Sequence, residues 1–183
     1  MTLLSRLRGE RSGVKDPVVE VVSVGTEQAW KMLDVVTGWV RASEVKATAA
    51  LAADGVIGGA VYNLTKGIDL NTAEIVLVVC CIASVLASGL CAGACLIPRL
   101  WIRENPQNLI YFNHVARRYT RYEDYRSVFQ ALVVDEARLV DEISAQTWAN
   151  SKVARRKFLW SGWAIILFFL AVLFVAVLMI LRS

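Results

Sequence analysis

The chain has 183 residues, a formal net charge of +4 and 56% hydrophobic side chains, with a mean hydropathy of +0.49. Soluble domains are roughly half apolar. This balance therefore excludes an ordinary water-soluble globule and points to an integral membrane protein with a small water-exposed part. The single histidine, His114, leaves no multi-histidine metal centre within one chain.

Residues 1–25 read as a tail. Arg6, Arg8, Arg11 and Lys15 lack an adjoining apolar core, so no cleavable signal peptide is expected. Val18–Val24 is β-prone and is assigned no structure. From Thr26 to Lys46 the periodicity predicts an amphipathic helix. Ala29, Leu33, Val36 and Val40 form its stripe, and Trp30 and Trp39 widen it.

Residues 47–97 are predicted to form a transmembrane hairpin. The first arm, about 47–64, is rich in Ala and Gly and contains Asp54; its alternative is a re-entrant or buried segment. A polar loop, Thr65–Thr72, leads to the second arm, 74–97, which is free of charge after Glu74. Gly55-x-x-x-Gly59 and Gly89-x-x-x-Gly93 are small-residue motifs suited to close helix approach. Ser84, Ser88 and Ala92 line an adjacent row. Cys80, Cys81, Cys91 and Cys95 all lie in the second arm and read as small packing residues.

Residues 98–157 are polar and mostly helical. Pro98 and Pro106 bracket a linker containing Trp101. Tyr111–Arg126 mixes aromatic and basic side chains. Such a stretch suits either stacking and phosphate contact with a nucleotide or placement among anionic lipid headgroups. Ser127–Lys157 is predicted as one long helix. Leu132, Leu139, Gln146 and Val153 recur every seven residues, with Ile143 and Asn150 between them. Lacking Pro and Gly, it should run unbroken into the last span, Phe158–Leu181, 24 residues without a charge. At about 1.5 Å per residue that run crosses a hydrocarbon core of about 30 Å.

Lys and Arg set the expected orientation. Residues 1–46 and 98–157 hold 18 of the 20 basic side chains, leaving Lys66 in the hairpin loop and Arg182 at the end. The bias puts the N-terminus and 98–157 in the cytoplasm, and the hairpin loop and C-terminus outside. Three spans satisfy it.

No catalytic constellation, P-loop or metal cluster is apparent, so no enzyme activity and no cofactor are expected. Asp54 has two readings. A carboxylate within a span marks a pathway or a partner; alternatively, if the span begins near Val56, Asp54 is simply hydrated at the interface.

Three segments carry a family resemblance. The first is Glu44-Val45-Lys46-Ala47 at the entry to the hairpin. The second is Leu109-Ile110-Tyr111-Phe112-Asn113-His114-Val115-Ala116. The third is Gln146, then Asn150-Ser151-Lys152-Val153-Ala154 and Lys157, ahead of the last span. In order and spacing, over about residues 26–181, the chain resembles the transmembrane effectors of Pycsar antiphage systems. It departs at Glu44, where the family usually has Asp, and at Asp54, where Asn is frequent.

The resemblance implies an all-α integral membrane fold and a role in abortive infection. It implies activation by cyclic UMP or cyclic CMP from a partner pyrimidine nucleotide cyclase, and damage to the bacterial inner membrane. On this reading Glu44, Lys46, Tyr111, His114, Arg117, Gln146 and Asn150 are the candidate ligand-binding set. Asp54, Gly55, Gly59, Gly89 and Gly93 are the candidate gating set, and a homo-oligomer is expected. A constitutive channel or transporter subunit, or a passive membrane scaffold, is the alternative from a different class.

Overall fold

The computed structural model describes residues 17–97 and 108–182, with side chains placed from residue 25 onward. The linker with Pro98, Trp101 and Pro106, and the tail before Pro17, lie outside the described residues. Five helices and no strand make up the rest: α1 (Pro17–Thr65), α2 (Thr72–Leu96), α3 (Phe112–Arg118), α4 (Tyr122–Val134) and α5 (Glu136–Arg182). The fold is all-α. Among the described helices, α2 and α5 are long and apolar enough to cross a bilayer.

Val18–Val24 is helical. Pro17 suits a first helical position, where its missing N–H is no loss. β-branched residues cost a helix less than about 1 kcal/mol each, which extension of an already nucleated 49-residue helix offsets. The loop after α1 turns on Gly67, whose φ of 70° suits a residue without Cβ. Asn71 then opens α2 with a reciprocal cap. Its Oδ1 accepts from the Glu74 N–H at 2.9 Å, and Glu74 Oε2 accepts from the Asn71 N–H at 2.9 Å.

The helix predicted to start at Ser127 is instead two helices. Asp135 leaves helical geometry at φ −96° and ψ 88°. Its Oδ1 accepts from the Arg138 N–H at 3.1 Å, and its carbonyl from the Leu139 N–H at 2.9 Å. It thus caps α5 and satisfies donors that an unbroken helix would bond to the preceding turn. The helix that reaches Arg182 has 47 residues, about 70 Å at the usual rise.

The three long helices pack side by side, α2 antiparallel to α1 and α5. Their buried and half-buried positions recur every seven residues. Leu33, Val40, Ala47, Asp54 and Val61 follow one another on α1; Glu74, Cys81, Ser88 and Cys95 on α2; Ile143, Asn150, Lys157, Ala164, Ala171 and Leu178 on α5. A seven-residue period keeps a seam facing its partner only if the helices coil left-handedly around each other. Of the predicted α1 stripe, Leu33 and Val36 are buried.

Backbone carbonyls fix the register. Ser88 Oγ donates to the Ala164 carbonyl at 2.9 Å, and Cys81 Sγ to the Ala171 carbonyl at 3.5 Å. Cys95 Sγ reaches the carbonyls of Lys157 at 3.5 Å and Ser43 at 3.7 Å. These contacts require small side chains at the crossings, where Ala47, Ala92, Ala164 and Ala171 are fully buried. The glycine motifs do not supply the approach. A Cβ added at Gly55, Gly59 or Gly93 would meet nothing within 4 Å, and one at Gly89 would touch only Leu51 Cδ1 at 3.7 Å. The close row on α2 is Ser84, Ser88 and Ala92. Outward faces carry Leu86, Leu90, Trp163, Ile166, Phe169 and Leu173, all exposed, as a helix solvated by lipid requires.

Candidate functional site

Beyond the bundle, α3 and α4 fold against the first turns of α5. Asn108 pins them there. Its Nδ2 donates to the Glu142 carbonyl at 2.9 Å, and its Oδ1 accepts from the Ile110 N–H at 2.8 Å, turning the chain into α3. The Asn108 N–H donates to His114 Nδ1 at 3.2 Å, and the Leu109 N–H to Glu142 Oε2 at 3.1 Å. Tyr111 stands edge-on to His114, ring centroids 4.9 Å apart. His114 and Tyr111 are thus occupied in holding this turn. Asn108 and Leu109 are both 5% exposed; the anchor is a short polar residue next to the aromatic stretch, whose signal is the Asn two residues before a turn into helix.

The turn leaves a cleft of about 330 Å³ between α3, α4 and α5, lined by Leu109, Arg118, Tyr119, Ser127, Val128, Ala131, Arg138 and Glu142. Arg118 lies over the Tyr119 ring, 5.5 Å from its centroid. Two guanidinium groups, a phenol ring and a hydroxyl around one opening form a chemistry suited to a phosphate and a planar ring. Arg117, from the candidate set, is exposed and does not line the cleft.

A second group lies further down α5. Gln146 Nε2 donates to Asn150 Oδ1 at 3.0 Å, and Asn150 Nδ2 reaches Thr37 Oγ1 on α1 at 3.5 Å. Gln146 is buried directly beside Ile143 in the seam. Polar partners here join α5 to α1 by directional bonds in place of apolar packing.

A third group rings the entry to the apolar bundle. Lys157 Nζ meets Glu44 Oε1 at 2.5 Å, and Lys46 Nζ lies over the Phe158 ring, 4.9 Å from its centroid. From Glu142 to Lys157 is 15 residues along α5, about 22 Å. A single small molecule cannot span that distance, so the seven candidate residues form three separate groups rather than one pocket.

At the opposite end Arg182 bonds Glu74 Oε1 at 3.0 Å and the Leu64 carbonyl. Between the two ends lies Asp54. It is 3% exposed inside the bundle, with Ser88 of α2 beside it, so the hydrated-interface reading does not hold. Neither of its carboxylate oxygens has a hydrogen-bond partner, although Ser88 faces it; the Ser88 hydroxyl donates to Ala164 instead.

Residues 28–182 match the family described as the Pycsar effector protein domain. The chain is also similar to the Pycsar effector protein PtPycTM of Propioniciclava tarda, with 29% identity over 165 residues, covering 82% of this chain and 80% of that one. No solved structure matches it significantly. With the match running from within α1 to the end of α5, the chain belongs to the Pycsar effector family, the transmembrane effectors of an antiphage defence.

Proposed function

We propose that this protein is a nucleotide-triggered effector that breaches the bacterial inner membrane. Its trigger is cyclic UMP or cyclic CMP made by a partner pyrimidine nucleotide cyclase on infection, and it performs no catalysis itself. The N-terminus and the α3–α4 end face the cytoplasm, and the chain crosses the bilayer three times, with α1 crossing beside α2 and α5. Copies of the bundle associate through their outward faces to breach the membrane.

One observation carries this reading. α5 runs without interruption from the cleft, to which it contributes Arg138 and Glu142, into the core of the bundle, where it contributes Ala164 and Ala171. A ligand shifts an equilibrium only if it binds one arrangement better than the other. A nucleotide phosphate drawn between Arg118 and Arg138 would bring α3 toward α5, and an unbroken helix carries the change to the bilayer. The candidate residues then divide by task. Tyr111 and His114 hold the turn beside the cleft, Gln146 and Asn150 hold α5 to α1, and Glu44 with Lys46 mark the membrane surface.

The test uses the full-length protein in detergent and in vesicles of phosphatidylethanolamine and phosphatidylglycerol. Labelled cyclic UMP or cyclic CMP should bind, and dye release should follow. Arg138→Ala should weaken binding by about tenfold, the loss of one charge-assisted phosphate contact. Absence of both binding and dye release with either nucleotide, at any protein density, would overturn the reading.

A further inference from the structure

Among the described residues two acidic side chains are buried, Glu74 and Asp54. Glu74 is answered by the Asn71 N–H and by Arg182. Asp54 has no charged partner; the Ser88 hydroxyl lies beside it but donates to the Ala164 carbonyl, and neither carboxylate oxygen receives a hydrogen bond. Around it, α5 carries no ionisable side chain between Lys157 and Arg182, and α2 none between Glu74 and Leu96 except the thiols of Cys80, Cys81, Cys91 and Cys95. A buried carboxylate without a partner is among the costliest groups a bundle can hold. Inside a membrane such a residue marks a route for ions or substrate.

Its position is equally informative. Glu44, in the ion pair with Lys157, lies ten residues before Asp54. Leu64, whose carbonyl holds Arg182, lies ten residues after it. Each interval is about 15 Å of helix, so the two charged ends stand about 30 Å apart, the thickness of a hydrocarbon core. Along α1, Asp54 is midway between them.

The seam differs on its two sides. Toward Lys157 it is built of small groups: Ala47, Ala92 and Ala164, with Ser43 and Ser161 buried nearby. These leave room when helices separate slightly. Toward Arg182 the small Cys81 and Ala171 are joined by Val61 and Val175, branched apolar side chains that exclude water.

We propose that Asp54 is the cation-binding site of a permeation path along this seam, and that Val61 and Val175 are the apolar plug that closes it. The path conducts monovalent cations in preference to anions because the carboxylate is the fixed charge at its midpoint. This deepens the reading that the protein breaches the membrane, and rests on it: the leak begins as a cation path within each bundle, and dye passes only where several bundles associate.

The test measures reversal potentials under a KCl gradient with the full-length protein in phosphatidylethanolamine–phosphatidylglycerol bilayers. Val61→Ser, and separately Val175→Ser, should conduct without any nucleotide and favour K⁺ over Cl⁻. Adding Asp54→Asn, close to Asp in shape, should lower that preference by about tenfold. Two plug variants that both stay closed, a path without cation preference, or a preference unchanged by Asp54→Asn would each overturn the proposal. Where the double variant does not fold, the selectivity of the plug variants alone decides. Cation-selective, Asp54-dependent plug variants with a native protein that ignores cyclic UMP and cyclic CMP would leave Asp54 its role and remove only the nucleotide trigger.

Discussion

Glu44 on α1 and Lys157 on α5 meet at 2.5 Å where the polar part of the chain enters the apolar bundle. The two residues come from the collars of two different helices, and their pairing ties the parallel helices at a fixed height. Lys157 is the more enclosed partner, and Glu44 is half open to solvent. Glu44→Gln should therefore lower stability by about 1 kcal/mol or less, and Lys157→Glu by more, because it places like charges together. Combining Lys157→Glu with Glu44→Lys should recover most of the loss. Thermal unfolding in detergent followed by helical signal measures all three; a swap that recovers nothing would show that the pair does not couple the helices.

The small residues at the crossings should be intolerant of growth. Ala164→Leu and Ala171→Leu insert several carbon atoms where no space is left, and each should cost about 1–3 kcal/mol. Gly55→Ala and Gly59→Ala point into open space and should leave unfolding of the bundle within about 0.5 kcal/mol of the parent. The same melting assay separates the two classes. Crosslinking of the glycine variants reports whether those open faces instead receive a second copy.

Asn108 should act as the anchor of the α3–α4 end. Asn108→Ala removes its bond to the Glu142 carbonyl and the turn at Ile110 together, a loss of about 1–3 kcal/mol for buried polar groups left unpaired. Limited proteolysis should then cut near α3 while the bundle stays protected. Asn108→Asp keeps the acceptor for Ile110 and should give an intermediate rate of cutting.

Gln146 and Asn150 should separate stability from signalling. Gln146→Leu replaces an amide pair in the seam with an apolar contact, which is close to neutral or stabilising when both polar partners are removed, so Gln146→Leu with Asn150→Leu should not lower the melting temperature. The double variant loses the directional bond to Thr37. It should accumulate normally in cells and protect them from phage less well, as scored by plaque counts. Full protection would remove the pair from the signalling route.

The second arm of the hairpin and the last span were readable from charge-free runs, and the loop from a polar break, because bilayer thickness constrains composition so strongly. The small row Ser84, Ser88 and Ala92 was readable for a related reason, as spacing along one face survives into the packed state. The burial of Asp54 was not. Its seam on α1 is written in Ala, Ser, Asp and Val, so hydropathy does not reveal the seven-residue recurrence until α2 and α5 are in place. The break at Asp135 had a visible signal, an acid followed by Glu136 ahead of the first helical turn, but carboxylates on a solvated face have the same composition. Six of the seven candidate ligand residues lie on helices and Tyr111 sits at the N-terminal edge of α3, but they face different partners, and only packing decides which residues share a cleft. That is why Arg118, Tyr119, Ser127 and Arg138 line the opening together.

The absence of a joint in α5 has a geometric consequence. From Glu136 to Lys157 is 21 residues, and from Lys157 to Arg182 is 25, arms of about 32 and 37 Å. Lys157, held by Glu44, stands near the middle of the rod like the pivot of a seesaw. A tilt of the rod about that point moves its two ends by nearly equal amounts in opposite directions. Displacement at the cleft therefore reaches the far end with its size preserved and its sign reversed. The Glu74–Arg182 pair, not the wall of the cleft, would be the first contact to register it.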